Sequence, residues 1–506
     1  MKTVRIALMT ALVAVGCGGA PRVSPAPAPA PVASSPPPAA AVDPLGPRPT
    51  PKEPVAFVPP EPRVLEGPAH SKIWLLERHN LPLVSVAVVV PYGSALEPAD
   101  QGGLAFASAD MLDEGAADRD ALAFSQAIND LGAKLATSAD RDASVVSVEV
   151  LAAKLEPALA LVSDAIVRPR HDAKDWTRVQ ALWVNALKNR AHEPNEVARV
   201  ATTATFYGEH PYGRPPEGTL TSAQHVLLND ISAWHKRIWR PDVATFVVVG
   251  DVTPDRITSM LAKAFGAWKA PTTLPMSSSV EPYLVRPKGM RTFVVDRADA
   301  PQIIMSLASS GPRSGDPVFA RINMLNIALG GSFTSRLNQN LREDHGWTYG
   351  ARSHFNAQRG PGMFVVRAAI RSDAIAPALR EARKEIDRAA KEGLSDAEVD
   401  KLRALVNGDA LHAYGTVQGV GGSLAGNAAL GLAPDQDAKD ISSQRSATAK
   451  DLAILAAKYL DLASAEVVLV GPKELAVKAL ADNGLPSPEF VDADGKPVGP
   501  RLSAAP

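Results

Sequence analysis

A chain of 506 residues is longer than one hydrophobic core usually serves, so about two to four domains are expected. Its 46% hydrophobic and 21% charged residues are those of an ordinary globular protein, and a net charge of −1 argues against a nucleic-acid binder. A single cysteine excludes a disulfide framework.

The chain opens with Lys2 and Arg5, followed by an apolar run from Ile6 to Val15 that is too short to span a bilayer as a mature helix. The run ends in Val13-Ala14-Val15-Gly16-Cys17, which resembles a bacterial lipobox. Residues 1–17 therefore read as a lipoprotein-type signal, with Cys17 as the lipid acceptor and simple secretion as the alternative. Gly18 in the second mature position leans toward an outer-membrane location facing the periplasm. Residues 18–66 are rich in Pro and Ala, and proline fixes φ and lacks an amide proton, so a disordered, semi-rigid tether is expected there.

Beyond the tether the chain repeats itself. The segment Ile231 to Gly250 matches Leu452 to Gly471 without a gap, at an offset of 221 residues. Each copy reads as a helix, a turn, a β-branched strand and a glycine, with another helix following from Pro254 and from Lys473. The strand of each copy is a continuous apolar run and so buried on both faces, and Leu83 to Val90 and Gln302 to Ala308 read as further matching strands, each followed by a turn and a helix. Two homologous domains follow, at residues 67–275 and 290–487, with a linker near Pro271 to Pro287 and a disordered tail at 488–506. Strands precede and follow blocks of helix, which favours an α+β arrangement over a doubly wound parallel fold.

Four segments carry chemical information. Asn80-Leu81-Pro82 opens a strand that runs on to Gly93-Ser94 and Glu97. Gly103-Leu104-Ala105 opens a helix, and His210-Pro211-Tyr212-Gly213 opens a loop that closes on Gly218. Finally, Gly330-Gly331 precedes Arg336, Arg342 and Tyr349. In their order and spacing the four resemble the M16 family of insulinase, pitrilysin and mitochondrial processing peptidase, over about residues 67–487. The resemblance implies two homologous sheet-and-helix domains forming half of a clamshell.

M16 chemistry uses H-x-x-E-H on a helix, where two histidines at i and i+4 reach one zinc ion and the glutamate acts as general base on a zinc-bound water. Aligned on Gly103-Leu104-Ala105, the first histidine is replaced by Phe106, the glutamate by Ala109 and the second histidine by Asp110. The further glutamate ligand of the family falls at or next to Asn185. Phenylalanine cannot bind zinc and alanine cannot accept a proton, so no metal or cofactor is expected in this chain. His225 and His235 stand ten residues apart, and no two of the ten histidines have the i, i+4 spacing of helical ligands.

Arg342 and Tyr349 match the family's R-x6-Y pair, in which tyrosine donates to the forming oxyanion and arginine binds a substrate carbonyl. Taken alone, the two read as a helix-surface arginine and a sheet tyrosine; the family-like residues around them favour the functional pair. Arg336 stands thirteen residues from Tyr349 and is expected to pack beside the turn or pair with a carboxylate. A first domain without ligands beside a second with the donor pair resembles one subunit of a two-chain M16 peptidase. The resemblance implies a partner chain bearing H-x-x-E-H and the zinc, and a peptide substrate. The alternative is a catalytically inert structural or peptide-binding envelope lipoprotein.

Overall fold

The computed structural model describes residues 56–281 and 284–498. Cys17, the signal and most of the tether lie outside the described residues. No helix among those described is long and apolar enough to cross a membrane.

The strand Leu83–Val90 carries almost no polar side chains and is buried along nearly its whole length, which is why it lies inside a sheet and not at an edge. It pairs antiparallel with Thr245–Gly250 on one side and with Ser144–Leu151 on the other. Lys72–Glu77 runs parallel to Thr245–Gly250, Arg63–Glu66 closes that edge, and Lys134–Ala139 forms the opposite edge. The second sheet repeats this plan. Gln302–Gly311 pairs antiparallel with Glu466–Gly471 and with Gly362–Arg371, while Arg291–Asp296 runs parallel to Glu466–Gly471. Thr348–Phe355 forms the edge equivalent to Lys134–Ala139. The repeat read from sequence is therefore a repeat of topology: the helices Leu228–Ile238 and Ala449–Tyr459 begin at the same offset as the strands that follow them.

Each sheet buries one face against helices of its own half. On the first, side chains such as Leu155, Leu159, Ile231, Trp234, Ile257 and Leu261 pack on Val84, Val86, Val88 and Phe246. The other face is covered by the opposite half. Val417, Val420 and Leu424 of the helix Val417–Ala429 lie on Trp74, Ala87 and Val247 of the first sheet. Reciprocally, Val197, Ala198 and Ala201 of Pro194–Tyr207 lie on Phe293, Ile304 and Val468 of the second. A sheet that is apolar on both sides needs two covers, and each half supplies the second cover of the other. The described residues accordingly fall in one compact unit in which the two halves are interleaved.

The tail expected to be disordered departs from that reading up to residue 498. Glu489–Phe490 adds a short strand beside Arg291–Asp296, Val491 is buried, and Asp494 pairs with Arg190 at 2.9 Å. Val491 and Phe490 have an apolar surface to cover, which the hydrophilic look of the segment concealed. The linker has no regular structure but is tied down: Tyr92 donates to the carbonyl of Met276 at 3.0 Å and Arg240 to that of Thr273 at 2.8 Å.

Candidate functional site

The helix Leu104–Asp110 occupies the place where M16 ligands would stand. It begins at Gly103, whose φ of +87° is costly for any residue with a Cβ, and a Cβ there would lie 2.5 Å from the Trp183 ring. The buried carboxylate of Glu97 accepts from the backbone N–H groups of Gly103 at 2.9 Å and Ala105 at 2.5 Å, capping amide groups that the helix itself cannot satisfy. Burial, opposed by these two bonds, pushes Glu97 up to about 8.

A cleft of about 490 Å³ lies between this helix, the edge strand Lys134–Ala139 and the helix Ala173–Arg190. Phe106 projects into it and packs on Trp183 with ring centroids 6.3 Å apart, and the indole N–H of Trp183 donates to the carbonyl of Glu217 at 2.8 Å. An aromatic ring thus stands at the first of the two histidine positions. Ala109 is buried and offers no functional group. Asp110 lines the cleft with Asp113 and Glu114; burial, then Asp113 and Glu114, push it up to about 6. Glu114 is engaged by Arg178. Asp110 and Asp113, with no imidazole beside them, fall short of the three protein ligands of a catalytic zinc ion. Among the described residues no group of three or more His, Cys, Asp or Glu could hold a metal.

Of the positions at or next to Asn185, where the distal ligand was expected, the cleft wall includes Ala186. Asn185 is exposed and is not part of the cleft wall, which the helix supplies through Val179, Leu182, Trp183 and Ala186. These lie at i, i+3, i+4 and i+7, one face of a helix, and Asn185 falls outside it. Ala186 is the residue that faces the cleft. Counting that spacing from buried Trp183 is the signal that would have found it.

The second half presents its residues differently. Arg342 sits in the wide helical turn Gln339–Asp344, with its guanidinium 4.5 Å from the centre of the Phe333 ring and 3.5 Å from Glu343. Tyr349 lies near the start of the edge strand Thr348–Phe355 and is 90% exposed. No hydrogen bond joins Arg342 to Tyr349 among the described residues, and the phenol does not fold back onto the protein. Arg336 is engaged by Glu398, with Nη2 2.8 Å and 3.0 Å from the two carboxylate oxygens, and also donates to the carbonyl of Gly393. Gly330 approaches Ser353 so closely that a Cβ would lie 2.7 Å from its backbone nitrogen, which accounts for this glycine as a packing requirement.

The His210 loop joins the halves. Tyr212 is fully buried; its hydroxyl donates to Asp142 at 2.5 Å and accepts from the backbone N–H of Gly360 at 2.8 Å. Asp142 also accepts from the N–H of Arg359 at 3.0 Å. The loop therefore links hairpins of the two sheets, and nothing in its geometry offers a nucleophile or a metal ligand.

Comparison with known proteins agrees with this architecture. Residues 72–220 match the family model described as insulinase (peptidase family M16), and residues 226–406 match that of the peptidase M16 inactive domain. The chain belongs to the M16 family. An uncharacterized zinc protease of Mycobacterium tuberculosis is 26% identical over 365 residues, covering 72% of this chain and 82% of the relative. A Helicobacter pylori protein named non-peptidase homolog YmxG is 20% identical, covering 66% and 76%. Among solved structures, a peptidase M16 inactive domain from Pseudomonas fluorescens has a TM-score of 0.76 at 23% identity, covering 81% of this chain and 98% of that one. A protease from Helicobacter pylori has the same TM-score at 19% identity, covering 82% and 100%. These likenesses establish the shared fold.

Proposed function

We propose that this chain is the non-zinc subunit of a two-chain M16 metallopeptidase and lends Arg342 and Tyr349 to a zinc site on a partner that bears H-x-x-E-H. The observation that carries the reading is the contrast between the two halves. The first has aromatic and aliphatic groups where ligands would be, whereas the second holds out an exposed phenol and a half-exposed guanidinium. A phenol oriented at a developing oxyanion can contribute ~2.7–4 kcal/mol to transition-state stabilisation, provided that another chain supplies the metal-bound water. Peptides are the substrate class, zinc belongs to the partner, and lipid on Cys17 would hold the assembly at the envelope, in the outer membrane facing the periplasm.

Purified alone, the chain is expected to bind no zinc and to hydrolyse no peptide. Co-purified with an H-x-x-E-H partner it should support turnover, which Tyr349→Phe lowers by about 10²–10³-fold. Unchanged turnover in that complex would remove the catalytic role.

A second reading, an inert structural or peptide-binding subunit, is favoured by the contacts of Arg342 with Phe333 and Glu343, which give it a partner within its own chain. A complex whose activity survives loss of both Arg342 and Tyr349 side chains would select this reading.

A further inference from the structure

The face of the second sheet that receives the helix Pro194–Tyr207 carries an excess of positive charge. Arg352 on the edge strand stands directly opposite Arg367 on Gly362–Arg371, so two like charges share one cross-strand position. Such a pair is destabilising unless something of opposite sign lies between the two. Arg367 is half-buried, and among the described residues its side chain makes one hydrogen bond, a long one from Nε to Ser306 Oγ at 3.4 Å. Burial, and then Arg199 beside it, push Arg367 below the usual guanidinium range.

Arg367 opens onto a cavity of about 380 Å³ at the junction of the two halves, which Arg141, Arg199, His354, Asp140 and Asp142 also line. The carboxylates nearby each have other partners, and only Asp140 approaches a guanidinium of the proposed site, that of Arg141. Arg199 is held by Glu196 at 2.8 Å and by Glu217. Asp142 receives Tyr212 and the Arg359 N–H, while Asp140 receives the backbone N–H of Arg141 and stands 3.9 Å from its guanidinium. Among the described residues neither Arg352 nor Arg367 has a carboxylate within salt-bridge distance, and Glu196 acts on Arg367 only through space.

We propose that this junction cavity binds an oxyanion, a phosphate or a carboxylate, between the guanidinium groups of Arg367 and Arg141, with Arg352 adding positive charge from the exposed strand position beside Arg367. An oxyanion there receives charge-assisted hydrogen bonds and cancels the repulsion across the strands. Because Arg141 comes from the first sheet and Arg367 from the second, the bound anion links the two halves. The site is separate from Arg342 and Tyr349 and does not require a partner chain.

The test is the thermal unfolding midpoint of the mature full chain as inorganic phosphate is added, with potassium chloride at matched ionic strength as control. A saturable rise with phosphate, absent with chloride, is expected. Arg367→Met, which relieves the like-charge pair, should unfold no earlier than the native chain without phosphate and should bind phosphate about tenfold or more weakly. Arg352→Gln, on the exposed edge, should weaken binding in the same direction and serves if Arg367→Met fails to fold. N-acetylated diglycine is compared with its C-terminal amide: stabilisation by the acid alone assigns the site to a peptide terminus, whereas a response to phosphate alone assigns it to free phosphate. A midpoint that responds to neither phosphate nor the free acid, or that responds equally in Arg352→Gln and Arg367→Met, overturns the proposal.

Discussion

Phe106 and Ala186 show at the level of single side chains why the cleft of the first half has no zinc-ligand set. Both face the cleft, and neither has a lone pair to give. Restoring ligands tests this placement. The combination Phe106→His, Ala109→Glu, Asp110→His and Ala186→Glu is expected to bring zinc into the isolated chain, as measured by elemental analysis. The same set with Asn185→Glu in place of Ala186→Glu should retain markedly less, because residue 185 points away from the cleft. Equal zinc in the two sets would contradict the assignment. Glu97 yields a second prediction. Its pKa in the folded protein is raised from an ordinary 4.5 to about 8, so the fold favours its protonated form. Its contribution is complete below about pH 4.5 and is lost as pH rises through about 8. Glu97→Gln, uncharged throughout, should flatten that part of the stability curve in urea titrations; parallel curves for the two proteins would count against it.

At the scale of elements, short polar connections hold the site in place as firmly as the sheets do. The loop from His210 to Gly218 brings Tyr212 between Asp142 of one hairpin and Gly360 of the other. Removing that hydroxyl leaves a buried carboxylate and a buried N–H each short of a partner. Tyr212→Phe is therefore expected to cost about 2–3 kcal/mol by equilibrium denaturation, with the secondary structure retained in circular dichroism. A loss below about 0.5 kcal/mol would mean that water replaces the hydroxyl. The neighbouring aromatic contacts point the same way, since Tyr207 donates to the carbonyl of Pro361 at 2.8 Å and also receives Gln358. These bonds cross from the first half to the second, and they explain a motif that carries no chemistry of its own.

For the whole molecule, the exchange of the helices Pro194–Tyr207 and Val417–Ala429 determines how the protein folds. A fragment of residues 67–275 would leave Trp74, Ala87 and Val247 uncovered, and a fragment of 290–487 would leave Phe293, Ile304 and Val468 uncovered. Each is expected to bind a hydrophobic dye and to aggregate alone, while mixing the two during refolding should recover soluble complex by size exclusion. The intact chain should unfold in one cooperative transition, reported alike by fluorescence and circular dichroism. Two separated transitions, or two well-behaved fragments, would show that each half is self-sufficient.

Much of this was legible in the sequence because the signals are local. Apolar runs marked Leu83–Val90 and Thr245–Gly250 as central strands, the offset of 221 residues marked the duplication, and Phe106, Ala109 and Asp110 disclosed the missing ligands directly. What sequence could not supply depends on residues far apart in the chain. The stacking of Phe106 on Trp183, the facing of Ala186 and not Asn185, the order of residues 489–498 and the pairing of Arg352 with Arg367 arise only when strands and helices are brought into register. Local periodicity determines which segments are helix or strand and which side chains are apolar. Tertiary packing decides which apolar faces meet, and so decided that two halves similar in plan would cover one another instead of standing alone.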